Sequence, residues 1–67
     1  MMNIERERKK LLELHTEYES MVRFFSFAHA RTKPLAEKEN YRFREKICRS
    51  MLVVIECLLK LLGEKEP

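Results

Sequence analysis

Between Asn3 and Leu62 the chain contains one residue that a helix does not easily run through, Pro34. Proline carries no backbone N–H, and it disfavours helical geometry in the residue before it. It is also well suited to the first turn of a new helix. On either side of Pro34 apolar residues recur at helical spacing, so the chain reads as two helices joined at one break. The composition agrees: of 67 residues one is Gly, two are Pro and none is Trp, while 37% are charged. That balance speaks against a sandwich, a barrel or a loop-rich scaffold. The length allows a single all-α domain over residues 1–67. The first helix is expected over about 3–30, the turn over 31–35, the second helix over about 36–62, and a frayed tail over 63–67.

Asn3 is positioned to cap the first helix, and Glu5 and Glu7 follow where the helix dipole favours negative charge. Positions 7, 11, 14, 18, 21, 25 and 28 step by four and three and hold Glu7, Leu11, Leu14, Tyr18, Met21, Phe25 and Ala28. Leu12, Val22 and Phe24 widen that stripe. The second helix has the stronger pattern, with Gly63 as its expected C-terminal cap. Ile47, Met51, Val54, Leu58 and Leu61 form one apolar row; Cys48, Leu52, Ile55, Leu59 and Leu62 form the row beside it. Two adjacent rows make an arc wider than one neighbouring helix covers.

A short connection between two long amphipathic helices implies an antiparallel hairpin. Such pairing is expected to bring Phe25 near Phe43 and Ile47, Leu11 near Ile55 and Leu58, and Ile4 near Leu62. Phe24, Phe25, Phe27, Tyr41 and Phe43 would gather near the closed end. With one row of the second helix spent on the first, Leu52, Ile55, Leu59 and Leu62 would be left in water. Exposed apolar patches of that kind mark interaction sites. A chain this short buries only about 60% of its unfolded surface, which also favours association. The expected function is therefore protein–protein association, as a homodimeric four-helix bundle or a clamp on another protein. Its expected partner-binding anchors are Met51, Leu52, Ile55, Leu58, Leu59 and Leu62.

No residue set announces an enzyme or a cofactor. His15 and His29 lie fourteen residues apart on one helix, roughly 21 Å along its axis, too far to share a metal. Cys48 and Cys57 fall on opposite sides of the second helix, so neither a disulfide nor a joint zinc site is expected. Cys57, toward the polar side, is the thiol expected to be reachable. The charge balance, 14 Lys plus Arg against 11 Glu and no Asp, gives +3. Lys38, Arg42, Lys46 and Arg49 line one side of the second helix and define the competing reading, a dimeric bundle that binds nucleic acid. Interleaved Glu39 and Glu45 argue for a solvated, ion-paired face instead. The longest apolar stretch, Met51 to Leu62, is short of a membrane span and holds Glu56 and Lys60. No secretory signal is visible behind the charged start, so a cytoplasmic location is expected.

The C-terminal half resembles the small YscE-like co-chaperones of type III secretion. The shared pattern is Asn40-Tyr41, a charged turn from Arg42 to Lys46, and the apolar run Met51 to Leu62 ending at Gly63-Glu64-Lys65. The break departs from that family, with Pro34 where a glycine-containing turn is usual. The resemblance implies a helical hairpin that shields an aggregation-prone partner helix before export.

Overall fold

The computed structural model describes residues 3–64 as two helices, α1 over Ile4–Arg31 and α2 over Leu35–Glu64. They pack against each other as an antiparallel hairpin about 52 Å long and 16 Å by 14 Å across. The helices, of 28 and 30 residues, account for roughly 42 and 45 Å of that length at about 1.5 Å per residue.

The ends form as the local chemistry dictates. The Asn3 side chain accepts a hydrogen bond from the Arg6 N–H at 3.1 Å, and Glu5 and Glu7 sit in the first turn. That arrangement satisfies one orphan donor and places negative charge at the positive end of the dipole. At the other end Thr32 is extended, and both its N–H and its hydroxyl donate to the Ala28 carbonyl, at 2.9 and 2.6 Å. Arg31 lies over the Phe27 ring, 4.3 Å from its centroid. Thr32, Lys33 and Pro34 make the connection, and the Pro34 carbonyl accepts the first bond of α2, from the Lys38 N–H at 2.9 Å.

The interior is thin. Cys48, Ile55 and Leu62 are the buried apolar side chains among the described residues, all on α2; α1 contributes half-buried ones. The seam on α2 runs through Tyr41, Glu45, Cys48, Leu52, Ile55, Leu59 and Leu62, at alternating steps of four and three. The seam on α1 runs through Leu11, His15, Tyr18, Val22 and Phe25 at the same steps. This 3.5-residue repeat keeps a straight line of contact between two helices.

Three expectations are corrected. The α1 stripe is rotated: Leu11, Tyr18 and Phe25 face inward as expected, but Leu14 and Met21 are exposed, and His15 and Val22 take the inward places. The aromatic group at the closed end is smaller than expected. Phe25 packs on Tyr41 with ring centroids 6.2 Å apart and meets Phe24 edge-on at 5.4 Å, whereas Phe27 and Phe43 point outward. Finally, Gly63 does not end α2. The helix passes through it to Glu64, and Gly63 lacks the positive φ of a left-handed cap. The tail beyond Glu64 lies outside the described residues.

A Cβ added at Gly63 meets nothing within 4 Å. Gly63→Ala should therefore stabilise the hairpin, by up to about 1 kcal/mol, through helix propensity and a less free unfolded chain. Thermal unfolding of the pair checks it; a left-handed cap would instead make the substitution destabilising.

Candidate partner-binding face

The two rows of α2 are one residue apart, which is about 100° around the helix. Their division of labour is the reverse of the expected one. Ile55 is 3% exposed and Leu62 8%, and Leu52 and Leu59 are half-buried, all against α1. The row left outward is Ile47, Met51, Val54, Leu58 and Leu61. Of the six expected anchors, Met51 and Leu58 are available to a partner, while Leu52, Ile55, Leu59 and Leu62 belong to the hairpin's own seam.

The side on which α1 adds to that row follows from the winding. Leu14 and Met21 each lie one residue after the solvent-facing Glu13 and Ser20 and one before the seam residues His15 and Val22. Met51 and Leu58 stand in the same relation to Leu52 and Leu59. Reversing the direction of α2 reverses both its apparent sense of winding and the side its seam looks toward. The two reversals cancel, so equivalent positions of antiparallel helices flank the same side. The Cys48 thiol donates toward the Met21 thioether at 4.0 Å across this flank. Leu14 and Met21 thus join Met51 and Leu58 on one face, with Ile47, Val54 and Leu61 next around α2. From residue 47 to residue 61 the outward row and its outer neighbours Ser50 and Cys57 carry no charge.

The opposite flank is polar. His15 stands between two carboxylates, its Nδ1 3.2 Å from Glu19 and its Nε2 3.3 Å from Glu56. A neutral imidazole has one N–H and can donate to one of them; an imidazolium donates to both. Glu56 reaches across the hairpin toward His15, a contact between the two helices. A shallow, open depression on this flank is lined by Glu19, Val22, Arg23 and Leu52. Among the described residues no group of His, Cys and Glu is arranged to hold a metal ion.

The four basic residues of the competing reading do not make a bare track. Lys38 is half-buried near the turn, Arg42 lies 4.0 Å from Glu39, and Arg49 donates to Glu45 at 3.1 Å; Lys46 is exposed. Such exposed pairs contribute at most about 1 kcal/mol each, but they interleave opposite charge where phosphates would bind. Among the described residues no helix is long and apolar enough to cross a membrane. No family model, curated protein or solved structure matches the chain.

Cys57 is exposed and Cys48 is buried. A thiol-alkylating reagent should accordingly modify Cys57 in the folded protein and reach Cys48 only after denaturant is added. Mass spectrometry of the digested product reads both sites, and native labelling of Cys48 would contradict the seam.

Proposed function

We propose that the protein is a helical association module, working by bundle completion and not by catalysis. The carrying observation is the outward row Ile47, Met51, Val54, Leu58 and Leu61, each between 36% and 53% exposed, on the same face as Leu14 and Met21. Covering side chains that are about half exposed yields on the order of 1 kcal/mol each. Seven such side chains are a substantial driving force beside a core in which Cys48, Ile55 and Leu62 are the buried apolar side chains among the described residues. The row also repeats every 3.5 residues, which is the spacing another helix reads. The co-chaperone role implied by the YscE-like pattern would use this face, with the partner's helix laid along it.

The test is a paired substitution, Met51→Lys with Leu58→Lys. Lysine is a good helix former and both positions are exposed, so the helices should persist by circular dichroism. Association of the purified protein, with itself or with a chain co-purified from its own cells, should fall at least tenfold. Unchanged association in a folded double variant overturns the reading.

A further inference from the structure

We propose that Met21, Cys48 and Met51 form a binding site for one copper(I) ion on the edge of the hairpin. The three sulfurs come from both helices, and the site stands whether or not the outward face has a partner.

The Cys48 thiol and the Met21 thioether face each other across the two helices at 4.0 Å. That is ordinary contact for two sulfurs, and it is also the span of two sulfurs that share one ion. At about 2.3 Å from a d10 ion, two sulfurs roughly 110–120° apart about the metal are about 3.8–4.0 Å from each other. The pair already stands at that separation. The third sulfur is one turn further along α2. Met51 is three residues after Cys48, and side chains at that spacing share a helix face with Cβ atoms roughly 5–6 Å apart. A long side chain on a helix leans toward the preceding turn, which for Met51 is the turn of Cys48. Met51 also flanks the seam on the same side as Met21. The unbranched methionines adapt readily to a shared ligand. Cys48 is 6% exposed, Met21 42% and Met51 36%, so an arriving ion meets the thioethers first and the thiol beneath them.

The donors and their charge select the ion. Zinc is held by thiolate, imidazole and carboxylate, and among the described residues no group of His, Cys and Glu is arranged for that. Thioethers are soft ligands suited to copper(I). One thiolate with one Cu⁺ is electrically neutral, whereas the same thiolate with a divalent ion leaves a net charge among apolar side chains. The outward row from Ile47 to Leu61 carries no charge. Glu17 and Arg44, each a turn from one of the ligands, are of opposite sign. Glu45, a turn before Cys48, accepts a hydrogen bond from Arg49 at 3.1 Å. Binding exchanges a proton for the metal. The S–H bond of Cys48 breaks, an S–Cu bond forms, and the proton leaves to water. Neither sulfur nor copper changes oxidation state.

The test is an anaerobic titration of the reduced full chain with copper(I), in competition with the coloured copper(I) chelator bicinchoninate. The unaltered protein should take one ion per chain from the chelator and show the ultraviolet absorption of a copper(I) thiolate. Cys57→Ala, on the other side of α2, should leave this unchanged, and Cys48→Ala should abolish it. Met21→Leu and Met51→Leu keep the apolar bulk. Each should weaken copper(I) binding at least about tenfold, a loss that even groups merely supporting a metal ligand bring when removed. Circular dichroism of the metal-free variants checks that the helices persist, and a purely packing role for these methionines would leave copper affinity unmoved. If Cys48→Ala does not fold, the two leucine variants decide. Failure of the unaltered protein to compete with the chelator overturns the site. So does uptake that survives Cys48→Ala or is lost in Cys57→Ala, or one ion per two chains. An affinity that either leucine leaves unchanged overturns it as well, because the three sulfurs then do not share the ion.

Discussion

Two apolar rows set 100° apart on α2 cannot both look at α1, and the architecture follows from how that conflict is resolved. The row through Cys48, Ile55 and Leu62 turns inward and closes the hairpin. The row through Met51, Val54 and Leu58 is then obliged to look out. α1 faces the same choice with a weaker hand. Its inward positions include His15 and Tyr18, and it sends Leu14 and Met21 to the outside. Polar residues in the seam and apolar residues on the surface are the two sides of one rotation. A helix pair that kept all its best apolar residues for itself would have no face left to offer.

The polar seam position also fixes the register. A purely apolar seam permits two helices to slide by a heptad at modest cost. His15, held between Glu19 of its own helix and Glu56 of the other, has its partners at one alignment only. Partly exposed pairs of this type add little stability, but a polar residue within a coiled-coil seam is a recognised way to specify alignment. The closed end is set independently by Thr32 on the Ala28 carbonyl and by Phe25 on Tyr41. The hairpin is therefore aligned at its turn and again near its middle.

Much of this was legible in the residues. Asn3, the acidic first turn and Pro34 give the helix boundaries to within a residue or two, because caps and prolines act through local backbone chemistry. Both rows of α2 are plain in the sequence as well. Their assignment is not, since either row alone would make an acceptable seam. What decides is the arc of α1, whose own apolar residues also span two phases, so the pair has to be solved together. Gly63 failed as a stop signal for a related reason. A glycine ends a helix only where the chain turns left-handed, and α2 has no such turn there. The His15–Glu56 contact joins residues 41 positions apart and leaves no periodic trace.

The connection of Thr32, Lys33 and Pro34 has one more consequence. A tether of three residues keeps α1 beside α2 at an effective concentration in the millimolar range or above, more than a free helix would ordinarily reach. The inner row is occupied in advance by a neighbour that never leaves. A visiting helix that fitted either row equally well would meet competition at the inner row and none at the outer. Selectivity between the two rows thus arises from covalent linkage, with no difference in their chemistry required.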